Sequence, residues 1–243
     1  MKTKKSPLLF LDTETTGLGP EDRLFQVAFS YNEEVFDGLF KPPVPISIDS
    51  MTISHVTNEM VQDKEPFLES EMYTLLASLL PECILVAHNA LFDMAILERE
   101  GLQVDRYIDT YKISHHLDSS GEIPKHSLQY LRYYHKIDAK DALAHNAVGD
   151  IAVLEKLFDF HVSLMKKEGY EEENLFEKMM EISSQPILMK RFTFGKYNGR
   201  EVSQVAKEDR EYLRWLLNAK IMQRERGEEN DEDWIFTLDQ YVK

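Results

Sequence analysis

Near the N-terminus, four apolar residues run directly into two acids: Leu8-Leu9-Phe10-Leu11 is followed by Asp12-Thr13-Glu14. A short, near-continuous apolar run predicts a strand buried on both faces. Side chains alternate along a strand with a period of two, so Asp12 and Glu14 share one face of the sheet. Two carboxylates held there repel each other and lose hydration, which is costly without compensation. A divalent cation supplies that compensation, and carboxylate oxygens suit hard Mg²⁺ or Mn²⁺. Taken alone, the pair fits a strand terminus with two solvated acids equally well.

Two further acids stand in comparable places. Asp93, in His88-Asn89-Ala90-Leu91-Phe92-Asp93, follows the apolar run Cys83–Ala87 and falls in the first turn of a helix expected over Asn89–Gly101. Ligands of open α/β sheets collect beyond the carboxyl ends of strands. Asp150, in His145-Asn146-Ala147-Val148-Gly149-Asp150, stands near the start of a long helix expected over Val148–Lys167. Either acid alone also suits a helix N-terminus, where negative charge is favoured. Four acids, each at a strand end or helix start, call for one explanation.

The remaining pattern supplies the frame. Arg23–Tyr31 and Val35–Phe40 read as strands joined around Asn32-Glu33-Glu34, and Tyr107–Thr110 as another short strand. Phe67–Leu80 and Ser127–His135 have helical spacing. Three strands, then helix–strand–helix–strand, then helices imply an α/β domain with a mixed sheet, antiparallel at one edge. The acidic stretch Glu168–Asn174 reads as a linker before a helix over Leu175–Ser184. Beyond it come a hairpin over Arg191–Val202 and a helix around Glu211–Ile221. The expected organisation is a catalytic domain over 1–167, a linker and helix over 168–189, and a small α+β module over 190–243.

The motifs in order, Asp12-Thr13-Glu14-Thr15-Thr16-Gly17-Leu18, then His88 to Asp93, then His145 with Asp150, closely resemble those of the DEDDh family of 3′→5′ exonucleases. That family includes the proofreading epsilon subunit of bacterial replicative polymerase and exodeoxyribonuclease X. The likeness covers roughly residues 8–160 and takes in Ile53-Ser54-His55-Val56-Thr57-Asn58-Glu59-Met60 and Ile108-Asp109-Thr110. It implies a ribonuclease H-like fold, with a mixed five-stranded sheet flanked by helices, and two-metal hydrolysis of phosphodiesters with two Mg²⁺ or Mn²⁺ ions. By that resemblance Asp12 bridges both metals, and Glu14 and Asp150 help hold the one that activates water. Asp93 acts largely through water, and His145 serves as general base, a role imidazole suits near neutrality. The same resemblance places Thr15, Thr16, Gly17, Leu18, His55, Asn89 and Phe92 at the substrate, a 3′ end of single-stranded DNA or RNA. Phe92 suits the core equally well.

The net charge of −15 is unusual for a nucleic-acid enzyme, because phosphate binding ordinarily uses positive surface. Residues 1–165 carry 14 Lys/Arg and 26 Asp/Glu, a net of −12, so the excess lies with the candidate metal ligands. Bound cations invert the local field there. Lys190–Arg200 instead has four positive charges and no acid, interleaved with Phe192, Phe194 and Tyr197. That composition suits a single-strand contact surface or a small folded appendage. This tail resembles the small module behind exonucleases of the exodeoxyribonuclease X type. Cys83, the single cysteine, is expected to be a buried thiol, and His115-His116 to lie in a solvated loop. The apolar run at the N-terminus is too short for a signal peptide or membrane span, and a cytoplasmic location is expected.

The leading expectation is a DNA 3′→5′ exonuclease acting in repair or end processing. An RNA-trimming exonuclease and a polymerase-associated proofreading subunit, with a polymerase or repair protein as partner, are the alternatives.

Overall fold

The computed structural model describes residues 7–139, 147–226 and 231–243. These form two compact units: one runs to Ser114 and takes in Lys125–Ser183, the other comprises His115–Pro124 and Ser184–Lys243.

The first unit is built on five strands, β1 (Leu8–Thr15), β2 (Leu24–Tyr31), β3 (Glu34–Leu39), β4 (Ile84–Ala87) and β5 (Tyr107–Asp109). Their order is β3-β2-β1-β4-β5. β1 pairs antiparallel with β2 and β2 with β3, while β1, β4 and β5 are parallel. This is the mixed sheet, antiparallel at one edge, that the order of elements implies. The β2–β3 turn bends through Asn32 and Glu33, both at positive φ.

Helices lie on both faces. Between β3 and β4 come α1 (Ile48–Ser54), α2 (Asn58–Val61), a 3₁₀ turn at Phe67–Glu69 and α3 (Glu71–Leu79), capped by Ser70. α4 (Ala90–Arg99) joins β4 to β5, and α5 (Thr110–Leu117), α6 (Leu128–Tyr134), α7 (Ala147–Lys167) and α8 (Leu175–Ser183) follow. On one face, Leu9 and Leu11 of β1 meet Leu76 of α3 and Ile96 and Leu97 of α4 in the main core. On the other, Phe10 packs with Ile151 and Leu154 of α7, and its ring meets Phe158 edge-on at 5.4 Å. Alternation in β1 therefore serves two helical layers, which is why its first half reads apolar at every position.

Helices α1, α2 and α5 lie where the sequence predicts none: α1 and α2 leave Ile48, Ile53 and Met60 exposed, and α5 buries Lys112 and Ser114 beside Ile113. His115 and His116 end α5 rather than sitting in a loop. α8, expected behind the acidic linker, packs on β5: the Ser183 hydroxyl accepts the Asp109 N–H at 2.8 Å. Cys83 is a buried free thiol, as expected.

The second unit holds a 3₁₀ turn (Gly195–Tyr197) and helices α9 (Val202–Glu208), α10 (Arg210–Glu225) and α11 (Glu232–Val242). The hairpin expected over Arg191–Val202 is reduced to one bridge, Arg191 with Glu201. Gly195 and Gly199, both at positive φ, bend the intervening chain too tightly for a longer ladder. No helix among the described residues is long and apolar enough to cross a membrane.

Candidate active site

β1 outruns its parallel neighbour. Pairing with β4 ends at Phe10–Val86, whereas β1 continues to Thr15 alongside β2. The apolar run alone would end this strand at Asp12. Its extension carries Asp12 and Glu14 on the Phe10 face, as their spacing requires. The irregularity in pairing between Glu14 and Thr15 then turns the chain out of the sheet.

The edge left open beyond β4 is taken by α4. Thr13 donates both its backbone N–H and its hydroxyl to Oδ1 of Asp93, at 3.0 and 2.7 Å. A side chain thus completes the ladder where no strand remains. α4 starts from Asn89, a non-glycine residue in the left-handed region (φ 66°). Its N–H donates to Oδ1 of the buried Asp109 at 2.9 Å, and the same oxygen accepts the Tyr111 N–H at 2.9 Å. His88 braces the same loop, between the Thr110 hydroxyl at 2.9 Å and the His126 carbonyl at 2.7 Å.

From the opposite layer, α7 delivers Asp150 in its first turn, next to Ile151, which packs against Phe10. Gln129 of α6 donates its amide to Asp150 Oδ1. Two layers of helix thereby bring Asp93 and Asp150 to the end of β1.

Electrostatics register this convergence. Burial first, then the carboxylates of Asp93, Glu14 and Asp150, push the Asp12 carboxyl well above the usual range. Burial, with Asp150 second, pushes Glu14 up to about 7. Asp93 is also raised, by burial and by Asp109, against the two bonds from Thr13. An oxygen-only set of mutually repelling carboxylates is the donor chemistry of a hard divalent cation. As they stand, no three Asp, Glu, His or Cys among the described residues are gathered into a set able to hold a metal ion. One oxygen of Asp93 is engaged by Thr13 and one of Asp150 by Gln129.

The turn after β1 is built around Asp22. Its Oδ1 accepts the Thr16 hydroxyl at 2.7 Å and its Oδ2 the Gly19 N–H at 2.6 Å. Gly17 leaves room for that carboxylate, since a Cβ would lie 2.5 Å from Asp22 Oδ2. Thr15 and Thr16 are buried and their hydroxyls are committed within the turn, Thr15 to the Gly17 carbonyl at 2.7 Å. Leu18 is thrown outward, 88% exposed. The Ser47 N–H donates to the Thr16 carbonyl at 2.9 Å, tying the α1 segment to this turn. His55 ends α1 in the left-handed region, exposed to solvent. Phe92 packs against the main core, partly buried. His145 lies outside the described residues.

Sequence alone assigns no role to Thr13, Asp22, Asp109 or Gln129. Asp109 lies within Ile108-Asp109-Thr110 and Thr13 between two acids, and neither position announces a function. What identifies all four is the hydrogen bond each makes to a residue far along the chain or across a turn.

A family model described as "Exonuclease" matches residues 9–158, and a second, "Exodeoxyribonuclease X-like C-terminal", matches residues 192–220. "Exodeoxyribonuclease 10" of Escherichia coli (strain K12) is 33% identical over 228 residues, covering 87% of this chain and 90% of its own. "DNA polymerase III PolC-type" of Staphylococcus aureus is 28% identical over 189 residues, 73% of this chain but 13% of that protein. The solved structure "Exonuclease X in complex with 5′ overhanging duplex DNA" is similar with a TM-score of 0.56 and 26% identity. That likeness covers 73% of this chain and 99% of the other. A structure of exonuclease I, 20% identical with a TM-score of 0.54, shares the fold over 67% of this chain and 43% of its own.

Proposed function

The chain belongs to the exonuclease family and is a 3′→5′ exonuclease, a phosphodiester hydrolase, and we propose that it acts on DNA 3′ ends through the four-carboxylate site. The observation that carries this reading is the mutual repulsion of Asp12, Glu14, Asp93 and Asp150 at the end of β1. Like charges are kept together at such cost where they hold something positive. The names of the similar proteins, an exodeoxyribonuclease and an exonuclease X in complex with DNA, support DNA as the polymer.

Asp12, Glu14, Asp93 and Asp150 would hold two divalent cations, Mg²⁺ or Mn²⁺. These would supply Lewis-acid stabilisation of charge and lower the pKa of a bound water. In the proposed reaction the oxygen of water bonds to the terminal phosphorus, and His145 accepts its proton. The bond to the 3′ oxygen of the preceding nucleotide breaks and that oxygen takes up a proton from solvent, leaving a 3′-hydroxyl and a nucleoside 5′-monophosphate. The rigid turn at Thr15, Thr16 and Gly17 would present its backbone to the terminal nucleotide, with Leu18 against the base and His55 and Asn89 nearby. Phe92 would contribute more to packing α4 than to contacting the strand. A cytoplasmic role in repair or end processing belongs to the same proposal.

The test is release of mononucleotides from the 3′ end of labelled single-stranded DNA in Mg²⁺ or Mn²⁺, with Asp12→Ala inactive. Degradation of RNA alone under matched conditions would overturn the DNA assignment.

A further inference from the structure

The second unit contains an aromatic column running from its interior to its surface. Phe192 stacks on Trp234 at 5.0 Å and meets Tyr197 at 6.0 Å; Tyr197 meets Tyr212 edge-on at 4.9 Å, and Tyr212 meets Trp215 at 5.6 Å. Phe192 and Trp234 are buried, so the aromatics singled out in the sequence are partly core. The column ends differently: Trp215, on α10, is 62% exposed. One exposed ring is ordinary on a protein surface; this one continues a chain of packed rings and lies in the most basic stretch of the sequence.

Three ion pairs lie along this column and the start of α10: Lys196 with Asp209, Arg200 with Glu208 and Arg214 with Glu211. Asp209 caps α10, accepting the Tyr212 N–H at 3.1 Å through Oδ1, and its Oδ2 takes the Tyr197 hydroxyl at 2.6 Å and the Lys196 ammonium at 3.0 Å. This bracket fixes Lys196 over the Tyr197 ring, 4.7 Å from its centre, and 5.8 Å from that of Tyr212, the neighbour of Trp215. Arg200 lies 5.5 Å from the Tyr197 ring centre, and Arg214 precedes Trp215 on α10. Arg200 and Arg214 pair with Glu208 and Glu211 in solvent, and such pairs are weak enough to yield to a phosphate. Residues 190–226 hold ten Lys/Arg against five Asp/Glu, a net of +5 in a chain of −15.

We infer that this face of the second unit binds single-stranded polynucleotide, with a base stacked on Trp215 and phosphates held by Lys196, Arg200 and Arg214. An aromatic face beside fixed cations is what single-strand binding requires, and stacking tolerates any base. The positive charge that the chain as a whole lacks is thus concentrated in residues 190–226, while the four active-site carboxylates belong to the first unit. The inference rests on the exonuclease reading and deepens it, by giving the strand a second point of attachment.

Binding is measured with the full chain in EDTA, by anisotropy of fluorescent oligothymidylate of about 20 nucleotides, long enough for one such surface. Trp215→Ala is expected to weaken binding by about tenfold, the low end of what one stacked base contributes, and Trp215→Phe to restore most of it. Lys196→Gln with Arg214→Gln should make affinity less steep in salt, by about 0.7 in the logarithmic slope for each phosphate no longer neutralised. Oligouridylate run in parallel shows whether the surface separates DNA from RNA; weaker binding by the variants to either polymer supports the inference. Unchanged binding of both polymers by Trp215→Ala and by the charge variant overturns it, as does self-association that vanishes in Trp215→Ala while oligonucleotide binding persists. Hydrolysis in Mg²⁺ is scored separately. An inactive wild type that still binds through Trp215 would defeat the exonuclease site and leave this surface standing. An active wild type indifferent to Trp215 would do the reverse.

Discussion

Thr13 gives both of its hydrogen-bond donors to a single oxygen of Asp93, 80 residues away. The backbone bond replaces the strand partner that β4 no longer provides, and the hydroxyl bond holds the carboxylate against the repulsion of its neighbours. Thr13→Val keeps the shape and the first bond but removes the second. The Asp93 oxygen keeps the backbone N–H, so the loss is that of one hydrogen bond to a carboxylate, about 1.5–3 kcal/mol. The denaturant midpoint should fall accordingly, and the Mg²⁺ concentration giving half-maximal activity should rise, with Thr13→Ser restoring both. An unchanged metal requirement would confine Thr13 to stability.

Burial first, and three neighbouring carboxylates after it, push the Asp12 carboxyl up. Removing one charge relieves that repulsion. Asp12→Asn should therefore melt several degrees higher than wild type in EDTA, while hydrolysis is abolished. Mg²⁺ should raise the melting temperature of wild type and leave that of Asp12→Asn nearly unmoved. Equal responses in differential scanning calorimetry would show that Asp12 does not hold the ion.

Asp109 gathers the N–H groups of Asn89 and Tyr111 and so fixes where α4 begins. Asp109→Ala releases the left-handed Asn89 and with it the placement of Asp93. A several-fold drop in kcat, larger than any change in KM, is expected for a short DNA substrate. A pure KM effect would instead place Asp109 in strand binding.

Gly17 faces the Asp22 carboxylate, which a Cβ would strike. Gly17→Ala should displace Asp22, free Thr16 and raise KM by about tenfold, the equivalent of about 1.4 kcal/mol. Thermal stability should fall as well, because the Thr16 hydroxyl that loses Asp22 is buried. Steady-state kinetics with a wild-type KM would show that the turn does not meet the strand.

His161, buried in α7, has its pKa pushed down to about 3 by burial, with the nearby His88, His135 and His126 adding to the effect. The folded state therefore refuses a proton that the unfolded chain accepts near the ordinary value of 6.5. Its contribution to stability is fully present above that value and declines as pH falls toward 3, at up to about 1.4 kcal/mol per pH unit. His161→Phe should flatten that part of the stability profile, measured by urea unfolding from about pH 6.5 down to about pH 4. An equally steep profile would assign the acid sensitivity elsewhere.

The sheet is legible in the sequence because its buried strands are apolar runs with period-two acids at the end, and those signals are local. That Asp12 and Glu14 share a face is legible too, since it needs only strand geometry. How far β1 runs is not, because Thr13–Thr15 are polar and are held by partners distant in sequence, β2 and Asp93. α1, α2 and α5 are hidden for a different reason: α1 and α2 leave apolar residues in solvent, and α5 buries polar ones, Lys112 and Ser114. In the second unit the charged aromatic stretch at 190–200 is conspicuous, yet the ring left in solvent is Trp215. Only folding separates core aromatics from surface ones.

If these carboxylates hydrolyse the terminal phosphodiester at a 3′ end, single-stranded DNA labelled at its 5′ end will report it directly. The DNA is incubated with wild type in Mg²⁺, and the shortened strands and small products are resolved together. The expected result is a ladder shortening one nucleotide at a time from the 3′ end, nucleoside 5′-monophosphates as the small product, and neither with Asp12→Ala. Early release of the labelled 5′ nucleotide, internal fragments, or full activity in Asp12→Ala would contradict it.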